Sequence, residues 1–242
     1  MKTLKLLIGL AIAMMMASCT KSVTDGSVNF VISAQHDLAD VTKSNVSDYA
    51  ALPDPDDFIL TISDASGASV WAGNAASWDP ATKLKSGDYT VTASYGNIED
   101  EGFGKPCFEG TQTFTVKTDE TSHVNISATL ANTVIRITCS ENLKNYYKDY
   151  SFKLGRNNAD IVTFAKDETR AAFVDGYKIT VSGTLVTETG AEKTFSRDYT
   201  GLASATAYNM VFDVAGVGNG TVTISFNNTV ETVELGDVEL ND

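Results

Sequence analysis

Histidine is nearly missing from this 242-residue chain: there are two, His36 and His123. Cysteine is scarce as well, with Cys19, Cys107 and Cys139, and so is proline, with four residues. Few histidines leave few candidates for a general base near neutral pH or for an imidazole metal site. His36 lies in a polar stretch beside Asp37, and His123 alternates with Val124 and Ile126 and is expected to face solvent. The chain also lacks a glycine-rich phosphate cradle, paired-cysteine metal spacing and a His pair at helical spacing. These gaps exclude the common catalytic and cofactor signatures, so the chain is read as non-catalytic, with no cofactor and no bound metal. Basic residues are outnumbered, 18 Lys and Arg against 31 Asp and Glu, for a net charge of −13. Such an acidic chain repels nucleic acid and anionic headgroups, so neither is expected as a partner.

What is present begins at the N-terminus, MKTLKLLIGLAIAMMMASC. Lys2 and Lys5 precede an uncharged run from Leu6 to Ala17, too short to span a bilayer, which takes about 20 residues, but suited to an export leader. Met16-Ala17-Ser18-Cys19 resembles a bacterial lipobox, with Met where Leu is commoner. On this reading residues 1–18 are a signal peptide, Cys19 is lipidated, and residues 19–26 tether the fold to a membrane. The bland alternative is an ordinary secreted protein with a chance cysteine. Each buried CH2 contributes about 0.8 kcal/mol, so two or three acyl chains anchor a protein durably. Removing the first 18 of the 242 residues leaves 224 and takes away Lys2 and Lys5, which makes the mature charge −15.

Beyond the tether, alternation dominates. SVNFVISA, DFILTISD, GDYTVTASY, YKITVSGTLVT, TAYNMVFDVA and GTVTISFNN place β-branched or aromatic residues on one face and Thr, Ser or Asn on the other. These are half-buried strands, and the class is all-β. One short helix is predicted near 141–149, where Leu143, Tyr146, Tyr147 and Tyr150 follow Ser140 at helical spacing. The inward set is even-numbered in TSHVNISATL (Val124, Ile126, Ala128, Leu130) and odd-numbered in TVIRITC (Ile135, Ile137, Cys139). Because side chains alternate strictly, the buried face must switch near Ala131-Asn132, by a bulge or by a strand passing from one sandwich into another. Two tandem antiparallel β-sandwiches, 27–131 and 132–242, are expected. Leu84 with Tyr89, and Leu202 with Tyr208, form a faint echo between the halves. Gln35 to Asp56 is polar and without period, the kind of long loop that is functional or disordered.

Three features could bind something. Asp54, Asp56 and Asp57, and Glu99, Asp100 and Glu101, lack the alternating oxygens and distal Glu of a calcium loop and are read as solvated acidic turns. Trp71 and Trp78 are the only tryptophans. An exposed indole pair would stack on sugar rings, whereas a buried one would be core. Cys139 shares a face with Ile135 and Ile137 and is read as a small core residue rather than half of a disulfide with Cys107.

The stretch from Gly87 to Arg136 carries Gly87 with Tyr89, Ser94-Tyr95-Gly96, Gly102-Phe103, Lys105-Pro106, Phe108, Gly110, Phe114 with Val116, and Leu130 with Asn132. In order and spacing it resembles a domain of unknown function found in anchored lipoproteins of Bacteroidetes, with Cys107 standing where that family has an aromatic. The layout is similar to that of fimbrillins, lipoprotein precursors of surface pili made of two transthyretin-like sandwiches. The resemblance implies an outer-membrane or cell-surface lipoprotein acting in adhesion or as a fimbrillin-like component. In fimbrillins a protease removes the first strand, and a donor strand from another subunit fills the groove. Here Val28 to Ala34 would be that strand. The fimbrillin cut follows Arg, yet the first Arg here is Arg136, and Lys43 is the sole basic residue between Gln35 and Asp56. That departure favours a permanently anchored or accessory role. The alternative function is a glycan-binding accessory lipoprotein using Trp71 and Trp78. TKSVTDG after Cys19 has no dense acidic cluster, so a periplasm-facing orientation stays open beside surface display.

Overall fold

A computed structural model describes residues 24–38, 44–157, 159–214, 221–226 and 229–234. Cys19 and the leader lie outside the described residues. The first half contains β1 (Asp25–Ala34), β2 (Ile59–Asp64), β3 (Ser69–Asn74), β4 (Lys83–Lys85), β5 (Gly87–Tyr95), β6 (Gly102–Phe103), β7 (Phe108–Val116) and β8 (Thr121–Leu130). The second half contains β9 (Thr133–Cys139), α1 (Glu141–Tyr146), β10 (Tyr147–Arg156), β11 (Ala159–Phe164), β12 (Ala172–Val174), β13 (Lys178–Thr187), β14 (Glu192–Thr200), β15 (Ala207–Val214), β16 (Thr221–Phe226) and β17 (Thr229–Glu234). The fold is all-β, as the alternation requires.

The two halves repeat one topology. The first orders its strands β3-β2-β5-β7 and β8-β1-β4, and the second β11-β10-β13-β14 and β15-β9-β12. In the first half the two layers touch at a corner, where Phe108 and Glu109 of β7 pair with Leu130 and Thr129 of β8. The second half adds a β16–β17 hairpin beyond β15, and β6 crosses from the first half to pair with β12. Pairing is antiparallel except for one parallel pair in each half, β1 with β8 and β9 with β15. Alternation reports which face is buried and is silent on strand direction, so these pairs left no trace in the pattern.

The parity switch is a crossing strand. After β8 the chain turns through Asn132, which is fully buried. The Asn132 carbonyl accepts from the Ala205 amide at 2.8 Å, and the Ala131 amide donates to the Cys107 carbonyl at 2.7 Å. Val134 then packs in the first core, while Ile135 and Ile137 pack in the second. In β12, likewise, Phe173 faces the first core and Ala172 and Val174 the second. Strands β9 and β12 are thus a wall shared by both cores. We propose the domain boundary at 131/132, with that wall as the contact between the domains.

The helix is shorter than its tyrosine spacing suggests. Ser140 caps it by accepting from the Leu143 amide at 3.1 Å, and it ends at Tyr146. Tyr147 and Tyr150 both point inward from β10 because a register shift between Tyr147 and Asp149 returns the side chains to the same face. The echo between the halves is a local device. The Tyr89 hydroxyl donates to the Lys85 carbonyl at 2.9 Å, and the Tyr208 hydroxyl accepts from the Ala203 amide at 3.1 Å. In topology, however, β5 matches β13 and β15 matches β8.

In the second core Phe152 stacks on Phe212 with ring centroids 4.2 Å apart, both buried. Phe212→Ala should lower unfolding stability by about 3–5 kcal/mol, read by urea denaturation. A change below about 1 kcal/mol would mean that the core relaxes around the missing ring.

Candidate functional site: the first-strand slot and the clasp between sandwiches

Strand β1 begins at Asp25, so the last two residues of the stretch 19–26 expected as a tether belong to the strand, which fills a slot inside its layer. On one side Ser27–Ala34 pair in parallel with Thr121–Ala128 of β8; on the other Asp25–Ser27 pair with Lys85–Lys83 of β4. Val28 is fully buried and Ile32 nearly so. Phe30 meets Trp78 edge-on at 5.2 Å and Phe114 at 5.6 Å. The strand is tied at both ends: the Ser27 amide donates to the Glu120 carbonyl at 3.0 Å, and the Gln35 amide to the Ala128 carbonyl at 2.8 Å. Gly26 leaves no room for a side chain, because a Cβ there would lie 2.2 Å from the Lys117 carbonyl oxygen.

The stretch after β1 is more ordered than its polarity suggests. Val46 donates its amide to the His36 carbonyl at 2.9 Å, and Leu38 and Val46 are buried in the first core. A capped turn spans Val46–Asp48, and a second spans Pro55–Asp57, where Asp54 accepts from the Asp56 amide. The apolar residues of this stretch, Leu38, Val41, Val46, Tyr49 and Leu52 among them, follow no period, which is why it reads as loop. His36 and His123 are both exposed. Residues 39–43 lie outside the described residues.

The tryptophans sit against this strand. Trp78 is 8% exposed and donates its indole N–H to the Val28 carbonyl at 3.1 Å, so it closes the β1 edge beyond the point where β4 stops. Trp71 packs edge-on against it at 5.1 Å and is half-buried. The structure therefore does not present the pair as an open platform. What Trp71 and Trp78 offer a sugar is limited to the outer side of Trp71.

The acidic turn Glu99-Asp100-Glu101 hides a structural residue. The Glu101 carboxylate receives Arg156 through two nitrogens, at 2.9 and 3.2 Å, and the Asp175 amide at 2.7 Å. Arg156 also donates to the Lys178 carbonyl at 3.1 Å. The Glu101 side chain is 11% exposed and that of Arg156 24%, so this pair is shielded from water. Glu101 belongs to the first half and Arg156 to the second. Two further arginines reach across the same junction: Arg170 covers the Phe103 ring at 4.3 Å, and Arg136 covers Tyr49 at 4.7 Å. The sequence holds four arginines, all from residue 136 onward, and three of them contact the first half. That asymmetry was a readable signal and was missed.

The motif residues of the Gly87–Arg136 stretch assemble this clasp. Gly102-Phe103 form β6, and Phe103 packs edge-on against Phe164 at 5.0 Å. Gly96 adopts φ +72°, and a Cβ there would approach the Pro106 carbonyl oxygen to 2.5 Å, so only glycine fits beneath Lys105-Pro106. The Cys107 amide donates to the Asn132 side-chain oxygen. Cys107 and Cys139 are free thiols, with burial pushing the Cys139 thiol up to about 12. Among the described residues no group of three or more His, Cys, Asp or Glu could hold a metal ion, and no helix is long and apolar enough to cross a membrane.

Beside the clasp, the β11–β12 loop is held by Glu168. Its carboxylate accepts from the Arg170 side chain at 2.7 and 3.0 Å and from the Arg170 and Thr169 amides, which draws its pKa from 4.5 down to about 2. A depressed carboxylate contributes stability that is fully present above the unfolded value and is lost as pH falls through the folded one. The loop should therefore hold its order above pH 4.5 and loosen as pH drops toward 2. Hydrogen exchange at the Thr169 and Arg170 amides checks this, and a pH-independent rate after correction for intrinsic exchange would contradict it.

Two tandem sandwiches of one topology, the first completed by β1, define an all-β repeat within the described residues. The chain belongs to the family described as domain of unknown function DUF4493, which it matches over residues 24–241. No curated protein sequence matches it. Among solved structures it is similar to a candidate cell adhesion protein from Bacteroides uniformis ATCC 8492 (9% identity, 88% of this chain and 98% of the other, TM-score 0.46). It is also similar to the fimbrial anchor protein Mfa2 from Porphyromonas gingivalis (12% identity, 84% and 98%, TM-score 0.40). A third is a candidate polysaccharide-binding protein (DUF1812) from Bacteroides thetaiotaomicron VPI-5482 (10% identity, 87% and 98%, TM-score 0.44).

Proposed function

We propose that this protein is a permanently lipid-anchored component of the outer envelope, displayed at the cell surface, with a fimbrillin-like role in adhesion or surface assembly. The observation that carries the reading is the seating of β1. The strand nearest the anchor completes the first sandwich, with Val28 and Ile32 in the core and Trp78 locked onto its carbonyl edge. A strand so placed links the lipid at Cys19 mechanically to the body of the protein, so a pull on the fold loads a paired strand along its length. Removing β1 would expose the apolar slot and a row of N–H and C=O groups on β8, which is how a sheet accepts a strand from another subunit. The absence of any Arg before residue 136 argues for retention of β1 instead. The clasp supports the same reading, because three arginine contacts stiffen the junction through which load passes.

Orientation is tested by digesting intact host cells with a non-specific protease and blotting for the protein, with a periplasmic control left uncut. Surface display predicts loss of signal before lysis. Digestion only after lysis would place the protein on the inner leaflet and remove the adhesive role. Cys19→Ser should release the protein from the membrane fraction; retention would show that the anchor lies elsewhere.

A further inference from the structure

The repeat allows each half to be used as a ruler for the other. In the first half the link between β3 and β4 carries Trp78, whose ring plugs the gap beside β1. The matching link between β11 and β12 is Ala165–Ala171, which carries no aromatic residue. Where a plug would sit there is a cavity of about 510 Å3, with Ile137, Cys139, Phe152 and Phe164 among its walls. That volume is in the range of small-molecule sites, about 300–1,000 Å3.

The backbone beside this cavity matches as well. The Val134 amide donates to Thr206 and the Ser140 amide to Phe212, so the even-numbered residues of β9 turn their polar groups toward β15 and the odd-numbered ones turn away. On that far side β12 pairs no further along β9 than Ile135 with Ala172. The N–H and C=O groups of Ile137 and Cys139 therefore face the cavity with no strand of the described residues alongside. In the first half the inward Leu84 of β4 stands opposite Gly26, and two residues on is Val28, the acceptor of the Trp78 N–H. In the second half the inward Ala172 stands opposite Ile135, and two residues on is Ile137.

Several of the charged and polar side chains at the rim are engaged. The Tyr150 hydroxyl donates to Asp167 at 3.1 Å, Lys144 pairs with Glu141 at 2.7 Å, and Glu168 is held by Arg170. The Cys139 thiol is protonated at neutral pH. Arg136 also lines the cavity, with its Nε buried and unpartnered, and Asp167 has no cationic partner among the described residues. The two cations of the lining, Arg136 and Lys144, are balanced by the two carboxylates, Asp167 and Glu168, so the walls carry no net charge to select an ion and suit a neutral guest. We propose that this cavity binds a small, neutral, planar aromatic molecule carrying one ring N–H, of which indole is the simplest. Such a guest takes in the second sandwich the place Trp78 takes in the first, and donates its N–H to the Ile137 carbonyl. The inference is independent of the proposed surface role.

The test is a titration of the full mature chain with indole, followed by NMR. Shifts should appear at Ile137, Cys139, Phe152 and Phe164, and 1-methylindole, which lacks the donor, should bind roughly tenfold more weakly. Cys139→Leu, which adds bulk to the cavity wall, should weaken indole binding at least tenfold; unchanged affinity would overturn the proposal. Because that variant could disturb the core, the wild-type comparison decides. No shift at these residues with millimolar indole, shifts centred on Trp71, or equal binding of 1-methylindole would each overturn the proposal. N-acetyltryptophanamide binding as tightly as indole would also overturn it, by showing a site for a peptide side chain rather than a free ring.

Discussion

Replacing Glu101 by alanine should uncouple the two sandwiches. The substitution takes from Arg156, whose side chain is 24% exposed, the carboxylate it meets through two nitrogens, leaves it only the Asp175 carboxylate at 3.7 Å, and leaves the Asp175 amide without its acceptor. Breaking a buried pair from one side costs about 3–5 kcal/mol because the remaining charge is uncompensated. The partial exposure of Arg156 and the remaining Asp175 carboxylate hold the expected loss to about 3 kcal/mol at most, the low end of that range. Glu101→Gln retains an oxygen to accept from Asp175 and should cost less. Two measurements check this: urea unfolding, which should change from one transition to two, and hydrogen exchange at the Asp175 amide, which should accelerate. A single transition with an unchanged midpoint would show that β6, β9 and β12 hold the junction without the ion pair.

Trp78→Ala has a comparable expected effect in the first sandwich. The indole is 8% exposed, touches Phe30 and Trp71, and satisfies the Val28 carbonyl. Removing a buried aromatic of this size costs about 3–5 kcal/mol. The loss should concentrate on β1, whose edge beyond Ser27 has no β4 pairing to protect it. Exchange should therefore speed up at the β1 amides more than at those of β5 or β7. Trp71→Ala serves as the comparison, since Trp71 is half-buried and the indole–Val28 bond survives its loss. Equal effects from both substitutions would contradict the assignment of Trp78 as the plug.

Much of the fold was legible because alternation is a local property. Val28 and Ile32, Leu60 and Ile62, and Tyr89, Val91 and Ala93 are buried as the pattern requires. The switch of parity near Asn132 marked the crossing strand, since strict alternation cannot change face without cause. The helix was placed by Ser140 and Leu143 but drawn too long, because a bulge in β10 imitates helical spacing between Tyr147 and Tyr150.

What was not legible depends on contacts between distant residues. Glu101 looked like one of three solvated carboxylates, and its partner Arg156 stands 55 positions away. The parallel pairs leave the same alternation as antiparallel ones. Leu38 and Val46 are buried from a stretch with no period, so nothing local announced them. The cavity was hidden for a related reason. It follows from the missing counterpart of Trp78 in Ala165–Ala171, and that absence has meaning only once the two halves are superposable in topology.

The retention of β1 beneath a lipid anchor is tested most directly by the mass of the mature protein, extracted from host membranes and measured intact. The account predicts a chain of 224 residues beginning at Cys19, carrying acyl groups on that residue and keeping Asp25–Ala34. A chain that begins within or after Gln35–Asp56, unlipidated and without β1, would contradict it and show that the slot is emptied to receive another strand.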